Sequence, residues 1–136
     1  MDAKIETNYY ILTPLPKLLM ITILSAWDDR VVDDYIADLK GVTDRFYAKR
    51  PWAVFIDLSH WELNTPEAEN KLWESNRNYS NNPTHAAFVI GDSETKRWQM
   101  ENMLKGVENF IPRLFLNRQE ANAWLNQLGY NLPESL

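Results

Sequence analysis

Arg113-Leu114-Phe115-Leu116-Asn117-Arg118-Gln119-Glu120-Ala121-Asn122-Ala123-Trp124-Leu125 is an apolar run that passes almost without connector into a helix. Ala121, Trp124, Leu125 and Leu128 recur at i, i+3, i+4 and i+7, which places them on one helical face. Gly129 stands where a helix C-terminal glycine belongs. Two earlier apolar runs, residues 52–58 and 86–90, are likewise followed by helical patterns. Repeated strand-then-helix order predicts parallel strands joined by crossover helices, and so an α/β fold.

Working outward, the run 86–90 stops at Gly91-Asp92-Ser93, where Ser93 can cap a helix carrying Met100, Met103, Leu104, Val107 and Phe110 inward. Residues 52–58 are apolar on both faces, as an interior parallel strand must be. The next helix begins near Thr65-Pro66, because proline suits the first helical position and Asn64 or Thr65 supplies the cap. Its inward stripe of Ala68, Leu72 and Tyr79 is thin, so it is expected to be the most exposed helix. Upstream, Asp28 or Asp29 caps a helix with Val32, Ile36, Leu39 and Phe46 inside, and Gly41 is expected to mark a bend in it. Residues 9–12 and 18–24 read as the first two strands. Thr13-Pro14-Leu15-Pro16 between them is too short for a crossover helix, so they pair antiparallel.

The expected architecture is a five-stranded mixed sheet, its first strand antiparallel and four parallel, with four helices in the order ββαβαβαβα. It forms one domain over residues 1–136. Right-handed crossovers between sequential strands place the helices largely on one face.

Composition narrows the function. A chain of 136 residues buries about two-thirds of its unfolded surface without covalent staples. The lack of cysteine excludes disulfides, thiolate metal sites and cysteine nucleophiles. The N-terminus has no basic-then-apolar signal layout and no apolar run approaches a membrane span, so a cytoplasmic protein is expected. A net charge of −5 argues against nucleic-acid binding, which needs a basic face to release counterions.

The element order, with Phe55-Ile56-Asp57-Leu58-Ser59, Phe88-Val89-Ile90-Gly91-Asp92 and the closing segment 115–125, resembles the STAS-like superfamily. These are the SpoIIAA-like domains of sulfate transporters and anti-sigma factor antagonists. The resemblance covers nearly the whole chain from the second strand onward. It implies a regulatory or protein-interaction module, with some relatives binding lipids or small ligands. Anti-sigma antagonists carry a phosphorylatable serine in an Asp-Ser-x-Gly pattern after the central strand. The corresponding stretch here, Asn64-Thr65-Pro66-Glu67, keeps only the hydroxyl of Thr65.

Two groups of residues are candidates for function. In a parallel sheet ligands bind outside the strand C-termini, an edge that should present Asp28, Asp57, Ser59, His60, Asp92 and Ser93. Converging carboxylates there suit Mg²⁺, but the same residue types are default helix caps and turn formers, and that reading outweighs a metal. Ser59 beside His60 does not make a nucleophile–base pair: neighbours on a strand point to opposite sides, and no Gly-x-Ser-x-Gly elbow exists. His85 falls at the opposite edge of the sheet. No enzyme activity, cofactor or metal is therefore expected.

The second group lies along the thin-striped helix. Trp61, Thr65, Trp73, Arg77 and Tyr79 would form an aromatic contact surface rimmed by charge, for a protein partner or for self-association as a homodimer. The expected function is a non-catalytic interaction or regulatory module in signalling. The alternative is a carrier holding a small apolar, lipid-like or nucleotide ligand between helices and sheet.

Overall fold

A computed structural model describes residues 3–62, 65–79 and 81–133. Among them the elements run β1 (Ile5–Glu6), β2 (Tyr10–Pro14), β3 (Leu18–Ser25), α1 (Asp29–Phe46), β4 (Ala53–Trp61), α2 (Pro66–Arg77), β5 (His85–Val89), α3 (Glu94–Leu104), β6 (Ile111–Phe115) and α4 (Arg118–Gln127). The strands form one sheet in sequential order, β1 to β3 antiparallel and β3 to β6 parallel. The expected mixed α/β sheet with four helices is present, with one correction: the sheet has six strands, not five. The added β1 pairs Ile5 with Leu12 and Glu6 with Ile11, and two residues are too few for an alternation to be read from sequence.

Local chemistry fixes the helix ends. Asp28 Oδ1 accepts from Val31 N at 3.0 Å, Thr65 Oγ1 from Ala68 N at 3.2 Å, Ser93 Oγ from Lys96 N at 3.1 Å and Asn117 Oδ1 from Glu120 N at 2.9 Å. Each oxygen satisfies an amide that the first helical turn leaves without a partner. At the end of α4, Tyr130 N donates to Leu125 O at 2.9 Å and Gly129 N to Asn126 O at 3.1 Å. That double closure needs a left-handed residue, and Gly129 supplies it at φ 89°.

Two helix expectations need correcting. α1 runs unbroken through Gly41, which faces open space, so no bend marks it. α3 stops at Leu104, and Phe110 reaches the core from the following loop, with Val107 packed against it.

The helices divide between the faces of the sheet. α1, α2 and α3 cover one face, burying Val32, Leu39, Trp52, Ile56, Phe88 and Met103 among others. α4 covers the other with Ala121 and Leu125 over Phe55, Ala87 and Phe115. Leu104 and Trp124, in the inward phase of their helices, are only half-buried. β4 carries an irregularity that matters below. Its register against β3 steps from Thr22–Asp57 to Leu24–His60, so β4 holds one extra residue between those pairs. The resulting bulge leaves Ser59 and His60 both exposed and turns Trp61 inward to 3 % exposure. Among the described residues no helix is long and apolar enough to cross a membrane.

Candidate functional site

The three helices on the first face enclose a cavity of about 50 Å³ against the sheet, walled by Trp27, Tyr35, Trp61, Leu72, Tyr79 and Phe88 among others. Its aromatic wall is firmly held. Trp27 Nε1 donates to Leu24 O at 3.0 Å and to Tyr9 O at 3.1 Å, and its ring lies 4.9 Å from that of Tyr35. Tyr10, edge-on to both rings, donates its hydroxyl to Asp38 Oδ2 at 2.6 Å and so ties β2 to α1. Tyr79 stands edge-on to Trp52 and Phe110, with centroids at 6.2 and 5.8 Å.

Its lining includes four polar residues, Tyr35, Ser75, Asn76 and Tyr79. The hydroxyls of Tyr35 and Tyr79 have no hydrogen-bond partner among the described residues, although Tyr35 is only 5 % exposed. Burial pushes the Tyr35 phenol well above its ordinary pKa, and the neighbouring Tyr79 and Tyr10 push it further. Burial also raises that of Tyr79. Both side chains are therefore neutral hydroxyls, able to donate and to accept.

α2 roofs the cavity with little apolar anchorage, since Ala68 is its one fully buried residue. Beside the half-buried Leu72, polar contacts hold it. Lys71 Nζ donates to Asp33 of α1 at 2.8 and 2.9 Å, Gln99 Nε2 of α3 donates to Glu69 Oε2 at 3.0 Å, and Arg77 reaches Met103 O at 3.5 Å. A notch of about 110 Å³ between α1 and α2 shares Leu39, Ser75 and Tyr79 with the cavity.

The anticipated aromatic surface is divided by the fold. Trp61 is buried, and with Tyr79 it lines the cavity instead of facing solvent; the β4 bulge is the cause. Thr65 is exposed and caps α2, while Asn64 lies outside the described residues. Trp73 stays 38 % exposed, with the Arg77 guanidinium 3.6 Å from its ring centroid. It faces a groove of about 430 Å³ between α2 and α3.

At the strand C-terminal edge, Asp28 and Ser93 are helix caps. Asp57 Oδ1 accepts from both Ser59 Oγ, at 2.6 Å, and Ser59 N, at 2.9 Å. Lys96 Nζ donates to Leu58 O and Ser59 O at 2.9 and 3.1 Å, tying α3 to the end of β4. His60 makes no hydrogen bond among the described residues, and Asp92 is exposed. Among the described residues no three His, Asp or Glu side chains gather closely enough to hold a metal ion. His85 lies at the other end of the sheet, its Nδ1 3.0 Å from Thr84 Oγ1. The edge residues therefore do not converge on one point.

Sequence reasoning passed over Tyr35, Lys96 and the Lys71–Asp33 pair. The available signal for Tyr35 was a tyrosine set among the aliphatic residues of the α1 stripe; the two lysine contacts join distant helices and leave no periodic mark.

Order of strands, helices and crossovers together match a solved structure. An uncharacterized protein of the DUF3478 family from Shewanella loihica PV-4, with a SpoIIAA-like fold, superposes with a TM-score of 0.68 over 92 % of this chain and 98 % of that one. The chain has a SpoIIAA-like fold. At 12 % identity the likeness speaks for the fold alone. No protein-family model and no curated protein matches the sequence.

Proposed function

We propose that this SpoIIAA-like chain is a non-catalytic binding module that takes a small, mostly apolar ligand into the cavity beneath α2. The supporting observation is an aromatic-walled cavity lined by Tyr35 and Tyr79, whose hydroxyls make no hydrogen bond among the described residues. A ligand with one hydrogen-bonding group pairs with such a hydroxyl, a bond worth about 0.5–1.5 kcal/mol net. Ligand sites are typically apolar with a few placed polar groups, as this one is. The cavity of about 50 Å³ has room for only a few waters. A ligand larger than a few atoms enters through the α1–α2 notch as α2 lifts from its polar contacts.

Melting with phenol, indole and short fatty acids tests this reading. A bound ligand raises the melting temperature with its concentration, and the double variant Tyr35→Phe, Tyr79→Phe removes that rise. If nothing in the panel shifts the melt and native mass spectrometry finds no co-purified molecule, the reading fails. Absence of catalysis rests on Ser59 giving its proton to Asp57 with no histidine bonded to it. Ester or phosphoester turnover that disappears in Ser59→Ala would overturn that part.

A second reading, a protein-interaction module in regulation, is favoured by the exposed Trp73 in the α2–α3 groove, with the half-buried Arg77 stacked on its ring. Loss of self-association or partner binding in Trp73→Ala is its test.

A further inference from the structure

At the end of the sheet opposite the helix N-termini, three chain segments carry four cations. Lys17 lies in the β2–β3 turn, Arg45 in the last turn of α1, and Lys49 and Arg50 in the connection to β4. All four are exposed, and none has a carboxylate partner among the described residues, in contrast to Lys4, Lys40 and Lys71. The carboxylate in this stretch, Asp44, is engaged by Lys40 at 2.7 Å and by Asn81 at 3.1 Å. In a chain of net charge −5 such a cluster runs against the overall sign. It repels cations locally and attracts an acidic partner.

Arg50 lines a notch of about 410 Å³ with Pro14, Leu15, Pro16 and Phe46. The Arg45 guanidinium lies 4.8 Å from the Phe46 ring centroid, Lys17 directly follows Pro16, and Lys49 directly precedes Arg50. The floor of the notch is rigid. Both prolines have fixed φ, Leu15 N donates to Leu18 O at 2.9 Å, and the buried Tyr47 donates its hydroxyl to Leu15 O at 2.7 Å. Lys17 O accepts from Ala53 N at 3.0 Å, which fixes the turn against the start of β4. A site already in shape loses little entropy on binding.

From the cluster and the notch together we infer that this end is a docking site for an acidic segment of a protein partner, one apolar side chain entering the notch and flanking carboxylates meeting Arg50, Lys49, Lys17 and Arg45. The recess favours a peptide over a bilayer, because interfacial membrane binding inserts protruding apolar groups and this surface is hollow. The site shares no lining residue with the cavity under α2, so it goes beyond the ligand reading and stands or falls separately.

The test is fluorescence anisotropy with a labelled peptide bearing one leucine flanked by glutamates, its glutamine counterpart as control, and phosphatidylserine vesicles as a separate arm. The acidic peptide binds the full chain, the glutamine peptide does not, and added salt weakens the complex. The double variant Arg50→Glu, Lys49→Glu lowers affinity by roughly tenfold or more, since attraction becomes repulsion at two exposed positions. Tyr35→Phe, Tyr79→Phe leaves peptide affinity unchanged. No binding by the acidic peptide, equal binding by both peptides, or indifference to the charge reversal overturns the proposal. Vesicle binding without peptide binding overturns it in favour of an anionic surface.

Discussion

α1 and α2 lie side by side on one face of the sheet and are attached to it by different physics. α1 buries Val31, Val32, Tyr35, Leu39, Val42 and Thr43, whereas α2 buries Ala68 alone and adds the half-buried Leu72 and the polar ties of Lys71, Glu69 and Arg77. Fully burying a large apolar side chain stabilises by about 1.5–3 kcal/mol, while an exposed ion pair contributes about 0–1 kcal/mol. The first helix is part of the core. The second is a roof over it, and the cavity lies where apolar attachment gives way to polar attachment.

The largest expected effect breaks α1. Leu39→Ala should destabilise the fold by about 2–5 kcal/mol in urea melts, because Leu39 is nearly inaccessible and its loss enlarges a cavity already present. Leu72→Ala, on the half-buried stripe of α2, should cost less than half as much. Equal losses at the two positions would mean that α2 is bound into the core as tightly as α1.

A smaller effect concerns opening without unfolding. Native-state hydrogen exchange should show α2 amides exchanging through local opening, well below the free energy of the α1 amides, which should track global unfolding. Lys71→Ala should speed α2 exchange by up to about fivefold, in line with the modest worth of an exposed pair, and leave α1 unchanged. Acceleration of both helices together would erase the distinction.

How much of this was legible in the sequence depends on the range of each cause. Caps at Asp28, Thr65 and Ser93 and the C-terminal Gly129 act within a few residues, so the string of amino acids contains them whole. The thin stripe of α2 was legible for the same reason. Trp61 was misplaced because the strand reads as ending at Leu58, whereas β4 continues to Trp61 through a bulge that exists in the register between β3 and β4. The cavity needed more. Tyr35 and Tyr79 approach only after α1 and α2 dock, and no local pattern records that two hydroxyls are left without partners.

The smallest expected effect uses pH to separate the two faces. The polar ties of α2 contain no histidine, whereas His85, at the start of β5, meets the Trp124 ring of α4 edge-on at 5.4 Å. Burial lowers the His85 pKa below its ordinary value, so below about pH 6.5 the unfolded chain binds more protons than the folded one. Stability from this group is thus fully present above that pH and declines as pH falls through the interval down to the folded value. His85→Gln should remove the decline, so the gap in urea midpoint between wild type and variant should shift against wild type from about pH 7.5 to about pH 5. Exchange at α2 should show no matching difference between the two proteins. A pH response that persists in His85→Gln and appears instead in α2 opening would place the titrating group in the roof, and the division between a buried α1 and a polar-tied α2 would need redrawing.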